Sequence, residues 1–277
     1  MISISYDSSF DGCLSSIFEI YRQHLNVAEF IPDRAKEGLP ANLFTQPFQI
    51  QTSLEQSQRI QRAITNAANA DILLTIEIAF YSEESGVEMK IFAYLKKLFK
   101  GDDPYFARNP ASLEMLPILQ LAQSVRREAG NMLGMVRFSQ TSDGTYFSEI
   151  EPKYDILSLI VGHFRGRFAN ERWAIYDSKR SYGVYYDKLC AEPIYIPDLK
   201  VVTQNTRQDL ITTLWKDYYN AIAIKERENP RLLRRCLPVR YWKHLPEREP
   251  SNEGIQSYLT PSTVAKQHSL LSVTATR

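Results

Sequence analysis

Apolar residues alternate with serines in Ile2-Ser3-Ile4-Ser5-Tyr6, the period of a half-buried strand. Asp7-Ser8-Ser9 then supplies cap chemistry for a helix over 10–23, along which Phe10, Leu14, Ile17, Phe18 and Tyr21 recur at helical spacing. Phe48-Gln49-Ile50-Gln51-Thr52 alternates again, and Ser53 caps a helix that runs to Asn69. From Asp71 to Phe99 the pattern is helical, with Ile76, Phe80, Met89, Phe92, Leu95 and Phe99 as core positions and an interruption at Ser85-Gly86. Gly101-Asp102-Asp103-Pro104 ends that run, and another amphipathic helix covers 112–130.

The period changes after Gly134. Segments 134–139 and 146–151 flank Asp143-Gly144, a hairpin signal. A three-residue loop, Ser142-Asp143-Gly144, with Gly144 left-handed, places Arg137 opposite Glu149 and Val136 opposite Ile150. Pro152 closes the strand. A helix over 154–168 follows, striped by Leu157, Ile160, Val161, Phe164 and Phe168. Residues 173–177 and 182–187 form a second hairpin around Ser178-Lys179-Arg180-Ser181, and Pro193 and Pro197 punctuate a connecting loop. A helix over 206–228 and a short one from Arg231 to Cys236, opened by Asn229-Pro230, complete the pattern. The fold class predicted is α+β: a helical N-terminal half with short strands, a β-β-α-β-β unit in the middle and C-terminal helices. One domain spans 1–250, with subdomains 1–130 and 131–250, and 251–277 is a polar tail.

The net charge of +1 excludes a polycation, but the charge is uneven. Residues 225–243 carry seven basic side chains and two acidic ones, a local concentration that can hold a polyanion whatever the total. Cys13, Cys190 and Cys236 are scattered and odd in number, which predicts neither a disulfide framework, nor a zinc site, nor an iron–sulfur cluster. No metal and no cofactor is expected. No apolar run reaches the length that spans a bilayer and the N-terminus lacks signal-peptide character, so a cytoplasmic protein with no membrane association is expected.

The basic run is interleaved with aromatic residues. Arg227, Arg231, Arg234, Arg235, Arg240 and Lys243 with Trp242 and Tyr241 suit a phosphate backbone and its bases; a solvated helix face beside a core tryptophan is the plainer alternative. A second cluster surrounds His163, which shares a helix face with Arg167; Arg165, Arg172, Lys179 and Arg180 lie near in sequence. These groups either bind phosphate and move protons, or pair locally with Glu149, Glu151 or Asp177. Trp173, Tyr176, Tyr182, Tyr185 and Tyr186 are read as core residues rather than base platforms. Gly101-Asp102-Asp103-Pro104-Tyr105 is similar to the water-activating loop of uracil-DNA glycosylases, but it follows a helix and has no partner His-x-Ser-Pro motif. It is read as a helix-terminating turn. No P-loop, dinucleotide fingerprint, H-E-x-x-H or G-x-S-x-G occurs.

Several phrases together are more specific. Tyr6-Asp7-Ser8-Ser9-Phe10-Asp11-Gly12-Cys13-Leu14 resembles a family N-terminus of the form Tyr-Asp-Gly-Ser-Phe-Glu-Gly-Phe-Leu, with Ser8 and Cys13 as departures. His163 to Phe168, Trp173 to Asp177 and Arg180 to Tyr186 resemble its central motif. Lys225-Glu226-Arg227-x-Asn229-Pro230-Arg231 and Pro238-x-Arg240-Tyr241-Trp242-Lys243 are similar to its C-terminal signature. This is the bacterial domain-of-unknown-function family labelled probable DNA metabolism or putative DNA repair protein, and the resemblance covers residues 2–247. It implies a radical SAM protein as partner. Some members are fused to a glycosylase-like domain, for which this chain leaves no room.

Three readings follow. The first is a nucleic-acid-binding accessory of DNA metabolism or repair, working with the radical SAM partner. The second is a nucleic-acid-processing enzyme whose site draws on His163, Arg167, Glu149, Glu151, Asp177 and Lys225. The third is a protein-interaction module without nucleic acid binding.

Overall fold

The computed structural model describes residues 2–34, 48–101, 103, 105–106, 109–196, 215, 218–219 and 221–248, with only the backbone at Lys225. The polar tail 251–277 lies outside the described residues. The chain divides into two compact units. One comprises 1–134 and 152–167, the other 135–151 and 168–277. Helices and two sheets together make the α+β fold that the pattern predicts.

In the first unit, β1 (Ile2–Tyr6) leads into α1 (Phe10–Gln23) and returns as β2 (Val27–Pro32), parallel to β1. The two-residue β3 (Phe48–Gln49) pairs with the other side of β1, also parallel, so the sheet order is β2-β1-β3. Ser9 caps α1 by accepting from the Gly12 amide, and Ser53 caps α2 (Leu54–Ala67), as their positions predict. The long helical run breaks where expected. It becomes α3 (Ala70–Phe80) and α4 (Val87–Lys100), with Gly86 left-handed at φ 76° before α4 and Gly101 ending it at φ 69°. After α5 (Met115–Leu133), the segment 152–167 returns to this unit as α6 (Leu157–Arg167). The buried Glu128 of α5 fixes that return, its carboxylate accepting from the backbone amides of Lys153 and Tyr154, both at 2.9 Å. Ile4, Leu14, Ile17, Ile64, Ile76, Ile91, Leu95, Ile118 and Ile160 are among its fully buried side chains. Each contributes on the order of 1.5–3 kcal/mol by leaving water.

The second unit is built on a five-stranded sheet of order β4-β5-β6-β7-β8. Its strands are Ser139–Gln140, Tyr146–Ile150, Trp173–Asp177, Tyr182–Tyr186 and Ala191–Ile194. The first hairpin has the predicted loop and register. Ser139 pairs with Phe147 and Gln140 with Tyr146, and Gly144 is left-handed at φ 84°. The ladder stops there, however, so the Arg137–Glu149 and Val136–Ile150 pairings that this register extrapolates to are not made in it. β5 and β6 are parallel, whereas β6-β7 and β7-β8 are antiparallel. The strands β2 and β8 were not expected. Pro193 reads as loop punctuation, yet it is tolerated on the edge strand β8 because an edge leaves one side of the backbone unpaired.

Alternation gives the sheet two faces. Trp173, Ile175 and Tyr186 are buried on one, with the Trp173 and Tyr186 rings 5.3 Å apart. Phe147, Ala174 and Tyr176 form the core on the other, with Tyr185, Ile194 and Ile196 packed against them. The helix expected over 206–228 falls largely outside the described residues. Its described positions 215, 218, 219, 221 and 222 are helical, and the chain has left that helix before the 3-10 turn Lys225–Arg227. α7 (Pro230–Cys236) and the 3-10 segments Val239–His244 and Pro246–Arg248 follow. Among the described residues no helix is long and apolar enough to cross a membrane.

Gly183 sits opposite Tyr176, where a Cβ would lie 2.7 Å from the Ile175 carbonyl oxygen and 3.1 Å from the Tyr176 Cα. Backbone cannot swing aside as a side chain does. Gly183→Ala is therefore expected to destabilise the second unit by about 1–3 kcal/mol in urea unfolding.

Candidate nucleic-acid interface

Asn229 opens α7 by accepting from the Leu232 amide at 3.0 Å, with Pro230 at the first helical position. α7 buries no residue. Arg231, Arg234 and Arg235 recur at i, i+3 and i+4, so one helical face carries three guanidinium groups. All three are exposed, as is Arg227, and none of the four has a partner within the described chain.

The aromatic residues of this segment are differently placed. Tyr241 is buried, and Arg240 lies over its ring at 4.5 Å while donating to its hydroxyl at 2.7 Å. Trp242 is half-buried, donates Nε1–H to the Leu237 carbonyl at 3.0 Å and carries the Arg248 guanidinium 5.6 Å from its ring. Lys243 forms an ion pair with Glu151. Of the basic residues expected to hold phosphate here, the arginines of 227–235 stand clear while Arg240 and Lys243 have contacts within the unit.

Elsewhere, Arg180 has a side chain only 10% exposed, paired at 2.7 Å with the fully buried Asp177. Asp177 also accepts from the Lys179 and Arg180 amides, which makes it the organiser of the β6-β7 turn. Burial pushes its carboxyl up against the pull of Arg180 and those two amides. His163, Arg165 and Arg167 are exposed on the last turns of α6 in the first unit, whereas Glu149, Glu151 and Asp177 belong to the second. The Lys225 side chain lies outside the described residues. Among the described residues no three His, Cys, Asp or Glu side chains are grouped to hold a metal.

The structure also brings together groups that sequence reasoning missed. Arg137 pairs with Glu247 at 2.8 Å and lies 5.4 Å from the Trp215 ring. His244, whose Nε2 is buried without a hydrogen-bond partner, lies within electrostatic reach of Glu149. With Lys243–Glu151, two ion pairs thus join Arg137 and Glu151, which flank the β4-β5 hairpin, to residues 243–247. Burial pushes His244 below the ordinary imidazole value; Glu149 pulls it up, Lys243 pushes it down, and burial wins. Burial pushes Glu247 up, but its own backbone amide and Arg137 prevail and hold it below the usual carboxylate range. Sequence spacing offered no signal for these pairings, since Arg137 and Glu247 are 110 positions apart.

A family model described as a domain of unknown function, DUF4130, matches residues 85–247, from the turn before α4 into the last 3-10 segment. The Tyr6–Leu14 phrase lies outside that match. No curated protein matches the chain.

Two outcomes follow from these contacts. Asp177→Ala leaves the Arg180 guanidinium buried without its carboxylate, so the second unit should lose about 3–5 kcal/mol in urea unfolding. His244 prefers its neutral form when folded, so its contribution to stability is complete above the ordinary imidazole value of about 6.5 and is lost as the pH falls through it. Comparing His244→Gln with the parent from about pH 7.5 to about pH 5.5 isolates this contribution, because other titrating groups are common to both chains. The variant should lose less stability on acidification.

Proposed function

The chain belongs to the DUF4130 family, and on that premise we propose that it is a nucleic-acid-binding accessory of DNA metabolism or repair that works with a radical SAM partner. The observation that carries the binding half of this reading is α7: a helix that buries nothing yet presents Arg231, Arg234 and Arg235 exposed and without partners among the described residues. Three exposed guanidinium groups on one face, with Arg227 just upstream, match the demands of a phosphate backbone, which takes planar donors in bidentate fashion. The DNA-metabolism and radical SAM elements rest on the resemblance of the Tyr6–Leu14, His163–Tyr186 and Lys225–Lys243 phrases.

Because Tyr241 is buried and the Trp242 Nε1–H is engaged, the segment presents cations rather than base platforms. Binding through it is sequence-independent, since phosphate contacts carry no base information. About four phosphate contacts give a log–log salt slope near −3 for single strands. The test is triple charge reversal, Arg231→Glu, Arg234→Glu and Arg235→Glu, at positions where nothing is packed. The expected result is a flattened slope and an affinity reduced alike for all sequences, with circular dichroism unchanged. Unchanged affinity in a folded variant overturns the binding reading and favours an interaction module. Co-purification with the radical SAM protein tests the partner independently.

A further inference from the structure

We propose that the groove between α2 and α3 seats a nucleobase and contacts its hydrogen-bonding edge; the ligand class rests on the nucleic-acid reading above. The groove has a volume of about 400 Å³ and is lined by Gln58, Gln61, Arg62, Thr65, Asn66 and Leu73. That volume lies in the range of small-ligand sites. The α2 pattern creates it. Ser57, Ile60 and Ile64 are buried, which turns positions 58, 62, 65 and 66 to solvent as a single stripe.

The lining chemistry is mixed in a specific way. Gln61 donates its amide to Asp11 Oδ1 at 3.2 Å and to Ser57 Oγ at 3.1 Å, so its carboxamide is locked and Oε1 remains as a fixed acceptor. The Gln58 and Asn66 amides, which both donate and accept, have no partner within the described chain, nor does the Arg62 guanidinium. Thr65 Oγ1 donates to the Gln61 carbonyl and keeps its own accepting capacity. Leu73 adds an apolar contact, and no carboxylate lines the groove. A phosphate accepts only, so it would take the Arg62 guanidinium and amide N–H groups and leave the fixed Gln61 Oε1 acceptor without a donor. A base edge alternates donors and acceptors, and side-chain amides and guanidinium groups are the residues that match adenine and guanine edges. An extended peptide would call for an open sheet edge or a series of side-chain pockets, and two helices offer neither here.

The experiment follows the side-chain amide resonances of Gln58, Gln61 and Asn66 in the full chain as each of four nucleoside monophosphates is added. Saturable shifts are expected, with one base preferred about tenfold over the least favoured. Ribose 5-phosphate, which lacks a base, should move nothing. In the variant carrying Gln58→Ala, Arg62→Ala and Asn66→Ala, all at exposed positions, the Gln61 resonance should no longer respond. Failure of any nucleotide to shift these resonances overturns the proposal. So does an equal response to ribose 5-phosphate or to a blocked dipeptide amide, or a Gln61 response that survives in the variant. The α7 charge reversal should leave the mononucleotide shifts intact. If oligonucleotide affinity ignores that reversal while the shifts persist, the C-terminal reading falls and the groove stands.

Discussion

The parallel pairing of β5 with β6 is the constraint from which the second unit's architecture follows. An antiparallel neighbour can be reached by a tight turn, as β7 is from β6, but a parallel one requires a crossover. The chain spends residues 151–172 on it, and their helix, α6, is packed in the first unit against α5. Pairing Glu149 with Tyr176 in this register also fixes the side of the sheet on which Glu149 and Glu151 emerge. There Glu151 pairs with Lys243 and Glu149 lies within electrostatic reach of His244, so the docking of the C-terminal 3-10 segment depends on a register set more than ninety residues earlier in the chain.

Local chemistry was legible wherever the partner lies a few residues away. Asp143-Gly144 specified a three-residue loop and its register because Gly144 alone accepts the left-handed conformation cheaply. Asn229-Pro230 specified the start of α7, and Gly86 and Gly101 bounded α4. β2 was missed because its apolar residues, Val27, Phe30 and Ile31, do not alternate, and its pairing partner β1 lies across α1. β8 was missed because Pro193 speaks against a strand until its edge position is known.

The candidate interface divides in the same way. A run of seven basic residues is visible in any reading of 225–243, but exposure is not, and it separates the open arginines of 227–235 from Arg240 and Lys243, which are engaged. For Arg180 the sequence leaves both phosphate binding and local pairing open; Asp177, three positions back, is the partner the fold supplies across the turn. The α2 stripe of amides carries no net signal in composition or charge. It becomes chemistry only when the buried face is assigned and Gln61 is seen to be held by Asp11.

The excursion of α6 also has a consequence for the order in which the molecule is assembled. Ile156, Leu157 and Ile160 are fully buried in the first unit, yet they are synthesised after β4 and β5 of the second. The emerging chain therefore holds a first unit without its last helix and a second with two strands and no parallel neighbour. Neither can close before the other has begun, so their maturation on the ribosome is interleaved rather than sequential, and a cut at residue 134 would release a fragment with part of its hydrophobic core exposed to water.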